Sequence, residues 1–218
     1  MNPAEPPFEC GICGGASSEH LFSATDVNFR TTEEVFSIAR CRTCGTSQTI
    51  PRPPQESLGK YYPPVYYPIG GFSPSYDRRR IRPFQRDKVD IVRRFRTSGA
   101  LLDAGCGAGF FVREASEAGF DARGVEFSPD AVEFGRKYSG VRITEGEILH
   151  ADFPERSFDI VTLWQVMEHL PNPVEILAGI RKLMKPGGIL IVAVPNFDSL
   201  QAKVFRGRWY HREVPRHL

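Results

Sequence analysis

From about residue 77 onward the chain alternates between short apolar runs and amphipathic stretches, and this alternation restricts the possible folds most. The helical stretches are predicted at 82–95, 110–118 and 173–184, and the last is expected to be closed by Pro186-Gly187-Gly188. A further helix is predicted to begin at Ser128-Pro129-Asp130, where Ser128 can cap and Pro129 can take the first helical position. Apolar runs typical of strands lie at 100–102, 122–127, 141–144, 158–163 and 189–194. Strands that alternate with helices pair in parallel. The sequence therefore predicts an α/β fold with a doubly wound, mostly parallel Rossmann-like sheet and helices on both faces.

The first predicted strand leads into a glycine-rich loop, Asp103-Ala104-Gly105-Cys106-Gly107-Ala108-Gly109. Glycines at such a loop let the backbone turn sharply and approach a ligand closely. A dinucleotide site requires Gly-x-Gly-x-x-Gly, and its third glycine would fall at Phe110. The spacing therefore disfavours nicotinamide or flavin binding, so that a nucleotide-dependent oxidoreductase is the weaker hypothesis.

Asp-x-Gly-x-Gly-x-Gly after an apolar strand resembles the first motif of the class I S-adenosylmethionine-dependent methyltransferases, and the resemblance covers roughly residues 77–218. It implies that Asp103 holds the ammonium group of the cofactor. It also implies that the loop backbone runs along the aminoacyl part of the cofactor, with cofactor-binding positions at Gly105, Cys106, Gly107 and Gly109. The resemblance predicts an enzyme that uses S-adenosyl-L-methionine as its cofactor.

Four further residues are predicted to bind the same cofactor. Glu126 ends the second strand about twenty residues beyond the loop, where a carboxylate can accept both ribose hydroxyls. By resemblance, Phe127 lies against the adenine, and Glu147 takes the position whose carboxylate meets the adenine amino group. Family members usually have Asp at that position. Trp164 leaves the fourth strand next to the cofactor pocket, or simply packs in the core.

The segment after the fourth strand offers the candidate for the reacting end. His169 is predicted as the proton acceptor for a hydroxyl nucleophile, with His211 and His217 as reserves. The alternative is that His169 only shapes the pocket, because Glu-His-Leu recurs in the family whatever the substrate. Some quinone O-methyltransferases bind a divalent cation through Glu-x-x-Glu-His. Gln165 replaces the first carboxylate here, before Glu168, which argues against a hard-cation site.

Four of the five cysteines form two Cys-x-x-Cys-Gly knuckles, with ligands at Cys10, Cys13, Cys41 and Cys44. Four thiolates can close a tetrahedral zinc shell, and a closed shell is structural and leaves no position for chemistry. No secretory signal and no apolar run of membrane-spanning length is present, so a cytoplasmic protein is expected, in which paired cysteines hold metal more often than disulfides. The sequence therefore predicts a small four-cysteine zinc ribbon before the Rossmann-like domain.

These patterns divide the chain into three predicted regions: a zinc-binding ribbon at 1–50, a connector rich in Pro and Tyr at 51–76, and the methyltransferase domain at 77–218. The connector is predicted to be extended and not helical, because proline fixes φ and removes a backbone donor. Complete members of the family have seven strands and only five are visible here. The domain is therefore expected to be truncated at its C-terminus.

Composition narrows the choice of partner. The formal net charge is +2, from 28 basic and 26 acidic residues, so the chain as a whole is not drawn to nucleic acid or to an anionic membrane. Residues 78–96 are rich in arginine. The simplest interpretations are a solvated helix face or a contact with a phosphorylated substrate. The first hypothesis is a methyltransferase for a small-molecule acceptor; by analogy of architecture that acceptor is a sugar or nucleotide-sugar. The alternative is a zinc-ribbon protein that binds or modifies RNA.

Overall fold

The structure, a computed structural model, describes residues 8–63, 78–205, 209 and 211–218, with the side chains of 78–80 left out. These residues form two compact units. The cysteine unit comprises the described parts of Met1–Tyr66, Glu168–Val174 and Val194–Leu218. The sheet unit comprises the described parts of Tyr67–Met167 and Glu175–Ala193. Each unit is therefore assembled from separate stretches of chain. The continuous regions 1–50, 51–76 and 77–218 remain a prediction from the sequence.

The cysteine unit contains an antiparallel sheet in the order β1-β2-β3, formed by Ser18–Ala24, Phe36–Cys41 and Ser47–Ile50. These strands were not predicted from the sequence. Phe36 and Ile38 alternate on one face of β2 and are 2% and 3% exposed. They pack with Ala24, Tyr61 and Val214, so the core of this unit joins residues from both ends of the chain.

The predicted extended connector is wrong for its first part, because Gln55–Tyr61 forms a 3₁₀ helix. The helix begins directly after Pro54, a position where a missing backbone donor is harmless. Its last residue, Tyr61, is buried and meets the ring of Phe36 edge-on at 6.3 Å. Residues 64–76 of the predicted connector lie outside the described residues.

A buried ion pair ties the last residues of the chain into the cysteine unit. The guanidinium of Arg216, which is 0% exposed, donates to both carboxylate oxygens of Asp26 at 2.8 and 3.0 Å. It also donates to the carbonyl oxygen of Tyr61 at 3.0 Å. A planar guanidinium suits this two-point contact with a carboxylate. The short helix α5 (Leu200–Phe205) belongs to the same unit.

The sheet unit confirms the predicted Rossmann-like α/β fold. Its five strands are parallel and lie in the order β6-β5-β4-β7-β8. The strands are β4 (Ala100–Ala104), β5 (Asp121–Glu126), β6 (Ile143–Glu145), β7 (Phe158–Trp164) and β8 (Met184–Ala193). The helices are α1 (Arg78–Arg93), α2 (Phe110–Glu117), α3 (Pro129–Phe134) and α4 (Pro173–Leu183), and a single π turn at Gly135–Ser139 follows α3. Pro186-Gly187-Gly188 was expected to close α4, but these residues lie inside β8, where a register irregularity accommodates them.

Helices α1 and α2 cover one side of this sheet. Val92 of α1 and Phe111 and Val112 of α2 pack against Leu101 and Ile160 of the central strands. Three of the described arginines of this region make contacts within the unit: Arg82 pairs with Glu114 at 3.1 Å, Arg93 donates to Ala118 O at 2.9 Å, and Arg96 donates to Gly187 O at 2.9 Å. These contacts favour a structural role over a phosphate-binding stripe. Every described helix is too short or too polar to traverse a lipid bilayer.

The order of the strands locates the functional edge of the sheet. From β4 the chain first adds β5 and β6 on one side and later adds β7 and β8 on the other. Such a reversal opens a crevice at the carboxyl ends of the central strands, where ligands bind in doubly wound sheets. The glycine-rich loop follows β4 and therefore lies at this switch point.

Candidate functional site

The glycine-rich loop connects β4 to α2 and is held over the end of β5. The backbone N–H groups of Gly105 and Cys106 both donate to the carbonyl oxygen of Val125, at 2.8 and 3.1 Å. Gly105, Gly107 and Gly109 have φ values of +71°, +52° and +70°. These values lie in the left-handed region that residues with a Cβ seldom adopt, so the predicted need for glycine in this turn is met at all three positions.

The three loop glycines differ in what surrounds them. A Cβ at Gly105 would lie 2.6 Å from a methyl group of Val166, and one at Gly109 would lie 2.6 Å from a methyl group of Val141. A Cβ at Gly107 would meet no described atom within 4 Å. Gly105 and Gly109 therefore allow close packing, and Gly107 presents bare backbone to open space.

Cys106 contributes packing to the loop. A Cβ at Gly124 of β5 would collide with the Cys106 sulfur, so the thiol side chain fills the space that this glycine leaves. Burial raises the pKa of Cys106 well above its ordinary value, with the neighbouring carboxylates of Asp103 and Glu126 adding to the effect. A protonated thiol facing the core is inert as a nucleophile.

Asp103 lies in β4 directly before the loop and is 3% exposed. One of its oxygens accepts a hydrogen bond of 2.7 Å from the hydroxyl of Thr162 in β7. Burial raises the pKa of Asp103 to about 7, against the lowering effects of Thr162 and of Lys88. The site thus contains a buried carboxyl group that is poised between its two protonation states near neutral pH.

Glu126 ties the loop to the end of β5. This carboxylate is 5% exposed, and one oxygen accepts from the N–H of Gly107 at 2.8 Å while the other accepts from the N–H of Ser128 at 3.0 Å. Ser128 in turn caps α3 through Ala131 N, with Pro129 at the first helical position, which confirms the predicted helix start. Each carboxylate oxygen has two lone pairs, so Glu126 keeps acceptor capacity for a ligand beside Gly107.

The remaining predicted cofactor residues are more exposed. Phe127 is 59% exposed at the end of β5. The Glu147 side chain is 61% exposed and pairs with His150 at 3.2 Å. The N–H of Gly146 donates to the carbonyl oxygen of Glu126 at 2.9 Å, which brings the ends of β5 and β6 together. The structure thus places these residues along the same carboxyl edge of the sheet.

Trp164, at the end of β7, meets Phe111 edge-on at 5.5 Å. Its indole Nε1 is buried without a hydrogen-bond partner among the described residues. The ammonium group of Lys88 lies 5.4 Å from the centre of the Trp164 ring, and burial lowers the pKa of Lys88. Lys88 was not predicted as a site residue from the sequence, although its spacing from Val92 puts it on the apolar face of α1. A lysine on an apolar helix face was the signal.

His169, the predicted proton acceptor, belongs to the cysteine unit. Its Nδ1 lies 3.0 Å from the hydroxyl of Tyr62 and 3.2 Å from the carbonyl oxygen of Arg216. The ring of His217 lies 4.7 Å away at 74°. Burial lowers the pKa of His169 to about 4 and that of His217 to about 3, so both imidazoles are neutral at pH 7. Tyr62 was named only as part of the connector, and no local motif links it to His169.

The four predicted zinc ligands converge in the cysteine unit. The sulfurs of Cys10 and Cys44 and those of Cys13 and Cys41 are each 3.6 Å apart, and all four lie within 4.8 Å of one another. Tetrahedral zinc with Zn–S bonds of about 2.3 Å requires sulfurs about 3.8 Å apart, so the arrangement fits this ion. The glycines after the two knuckles, at 14 and 45, have φ of +68° and +78° and donate to the first cysteine carbonyl of each knuckle. The knuckles therefore share one backbone geometry.

Comparison with known proteins agrees with this fold. Residues 76–218 match the family described as Methyltransferase domain. Ubiquinone biosynthesis O-methyltransferase of Actinobacillus pleuropneumoniae serotype 7 is 26% identical over 139 residues, which cover 59% of this chain and 58% of that protein. The enzyme of the same name from Xanthomonas euvesicatoria is 34% identical over 114 residues, which cover 49% and 47%. The PH0226 protein of Pyrococcus horikoshii superposes with a TM-score of 0.52 at 25% identity, with 66% of this chain and 70% of that chain covered.

The sheet with its glycine loop at the switch point defines a class I S-adenosylmethionine-dependent methyltransferase fold. The chain belongs to the methyltransferase domain family, whose match covers residues 76–218. It spans little more than half the length of the Actinobacillus relative and slightly less than half of the Xanthomonas one.

Proposed function

We propose that the protein transfers a methyl group from S-adenosyl-L-methionine to a small-molecule acceptor. The arrangement of Glu126 and Gly107 carries this proposal. A buried carboxylate with lone pairs to spare lies beside a glycine whose Cβ position is open, at the switch point of a parallel sheet. Membership of the methyltransferase domain family and the names of the curated relatives support the same activity.

The residues of the sheet unit suit the parts of this cofactor. Glu126 would accept the ribose hydroxyls, and Asp103 would pair with the ammonium group in its ionised form. Lys88, buried against Trp164, would offer a cation to the carboxylate of the methionine moiety. The bound cofactor supplies an activated methyl group. The protein orients the cofactor and excludes water from the reacting carbon.

Our proposal for the acceptor is a sugar or nucleotide-sugar, which rests on the pairing of a four-cysteine module with this domain. The named relatives act in ubiquinone biosynthesis, so a phenolic acceptor is the competing small molecule. His169 remains the predicted proton acceptor, but a pKa of about 4 makes it a weak base. We also propose that Cys10, Cys13, Cys41 and Cys44 bind one structural zinc ion, which the sulfur spacing supports.

Calorimetric titration with S-adenosylhomocysteine tests the cofactor. We expect one binding site per chain. Glu126→Gln should lower the affinity for S-adenosylhomocysteine at least tenfold, because an amide oxygen is a weaker acceptor than a carboxylate and the amide NH2 repels the N–H of Gly107. Glu145→Gln is the matched control, since Glu145 pairs in register with Glu126 at the exposed end of β6. Wild-type protein that takes up no S-adenosylhomocysteine would contradict the proposal.

Transfer of a radiolabelled methyl group to a panel of acceptors separates the substrate classes. Label in nucleotide-sugars supports the sugar acceptor, and label in catechols favours the phenolic one. An RNA-binding protein would instead show an affinity for RNA that falls steeply with salt concentration. The internal pairing of Arg82, Arg93 and Arg96 predicts little such affinity.

A further inference from the structure

A second cluster of metal-ligating side chains lies in the cysteine unit, apart from the four cysteines. It consists of Glu168, His169 and His217, whose ligand atoms all lie within 4.8 Å of one another. Two imidazoles and one carboxylate form a ligand set that suits borderline divalent ions such as Zn²⁺ or Co²⁺ and is too rich in nitrogen for Mg²⁺ or Ca²⁺. We infer that Glu168, His169 and His217 bind a divalent transition-metal ion.

The state of Glu168 is the first support. Both of its carboxylate oxygens are buried, and neither has a hydrogen-bond partner among the described residues. Leaving a buried polar group unpaired is costly, and more so for a charged group. A cation between Glu168 and the two histidines would satisfy both oxygens.

The orientation of His169 is the second support. The hydroxyl of Tyr62 and the carbonyl oxygen of Arg216 lie 3.0 and 3.2 Å from His169 Nδ1, and in the tautomer with its proton on Nδ1 this N–H donates to the carbonyl oxygen, which can only accept. The lone pair of the neutral ring then lies on Nε2. Metal-binding histidines commonly donate their other N–H to a backbone carbonyl, which fixes the tautomer and the ring orientation. The imidazole is thus held as a ligand would be.

The charges around the cluster do not oppose a cation. Arg216 is the nearby positive group, and its guanidinium is neutralised by Asp26 and by Glu213, at 2.8 and 3.4 Å. The negative charge of Glu213 also acts on Glu168. His217 lines a small pocket together with His211 and Glu213.

The inferred site differs in kind from the four-cysteine cluster. Three protein ligands leave a coordination position open, whereas four thiolates close the shell. An open position can take a water molecule or an acceptor oxygen. His169 is then a metal ligand, and not the proton acceptor that was predicted from the sequence. Metal binding here does not depend on the proposed cofactor site.

Cobalt binding to the full chain tests the inference. Metal-free protein is titrated with Co²⁺ under reducing conditions, and bound metal is counted after removal of the excess. We expect two ions per chain, one with intense thiolate-to-cobalt absorption and one without. His217→Ala and Glu168→Gln should each bind one ion fewer, or bind the second at least about tenfold more weakly, with the thiolate absorption unchanged. His20→Ala is the matched control, because His20 is exposed in the same unit and its ring bonds to the hydroxyl of Ser23, away from the cluster.

The possible outcomes test the metal site separately from the proposed methyl transfer. Equal metal content in wild type, His217→Ala and Glu168→Gln would overturn it, and so would a wild-type protein whose every bound ion shows thiolate absorption. Unchanged thiolate absorption in a variant shows that the cysteine unit is folded. Should His217→Ala fail to fold, the near-isosteric Glu168→Gln still decides the question. Affinity for S-adenosylhomocysteine is measured on the same samples and should not change, so failure of the proposed function is scored independently.

Discussion

The glycine loop and the histidine cluster are built in opposite ways. The loop contact between Gly107 and Glu126 joins residues 19 apart, within one strand-loop-helix-strand unit. The contact between Tyr62 and His169 spans 107 residues, and the one between Asp26 and Arg216 spans 190. A spacing motif can record the first kind of site because its geometry follows from a local turn. The second kind depends on segments that meet only after the chain has folded. The two regions should therefore fail in different ways when single residues are changed.

The largest effect is expected at the four-cysteine cluster. Cys41→Ser removes a proposed ligand that is 1% exposed, and loss of the proposed structural zinc site, with an apparent binding free energy of about 10–16 kcal/mol, should unfold β1 to β3. Hydrogen exchange should then rise in Ser18–Ala24 and Phe36–Cys41, while Ala100–Ala104 stays protected. Zinc content should fall by at least one ion per chain.

Cys106→Ser is the control for this experiment, since it removes the fifth thiol, in the sheet unit, and should leave the zinc content unchanged. Equal loss of protection from hydrogen exchange in both units after Cys41→Ser would show that they unfold together, and would contradict the expectation that the two units respond separately.

The next effect concerns the long-range pair of Arg216 and Asp26. Arg216→Met leaves a buried carboxylate unpaired and should cost about 3–5 kcal/mol of unfolding free energy in urea. Replacing both residues by apolar ones should recover part of the loss. The exposed pair of Arg40 and Asp198 is the control, and its removal should have a much smaller effect because solvent screens it.

This pair also predicts the response to acid. Burial alone would raise the pKa of Asp26, but hydrogen bonds from Arg216 and Thr31 outweigh it and bring the pKa well below the usual range. A carboxylate with a lowered pKa stabilises the fold at pH values above its unfolded pKa of about 4, and the contribution is lost as the pH falls below that value. Asp26→Asn should therefore reduce the loss of stability between about pH 5 and pH 2. An unchanged acid profile would contradict this.

The sequence predicted the sheet unit well because its signals are local. Alternating segments gave all five strands, and the cap at Ser128 and the glycine turn followed from backbone chemistry. Strands β1 to β3 were missed because they are short and share their burial with Tyr61 and Val214, so that the alternation of Phe36 and Ile38 in β2 is too brief a signal by itself. His169 and His217 were both named as candidates, but no motif predicts their contact with each other or the contact of His169 with Tyr62, because these residues come from distant segments.

Within the loop, two glycines should respond differently to the same change. Gly105→Ala should cost about 1–2 kcal/mol for its positive φ and about 1–3 kcal/mol more for the contact with Val166, measured by urea unfolding. Gly107→Ala should show only the first cost, because its Cβ would point into open space. Gly107→Ala should nevertheless lose more free energy of binding to S-adenosylhomocysteine than free energy of unfolding, because the ligand is proposed to lie in the space that its Cβ would enter. Equal losses of affinity in the two variants would place the ligand elsewhere.

The smallest effect is a pH dependence of cofactor binding that arises from Asp103. Burial raises the pKa of Asp103 to about 7, so the ionised fraction grows as the pH rises towards 7. If the carboxylate holds the cofactor ammonium, affinity for S-adenosylhomocysteine should rise by about tenfold between about pH 5.5 and pH 7, while the ligand amino group stays protonated. Asp103→Asn should bind weakly at every pH with little slope. Asp121→Asn, at the exposed start of β5, should keep the wild-type slope. A slope that survives in Asp103→Asn would assign the titrating group to another residue, and the local motif would then have predicted the position of the site without its chemistry.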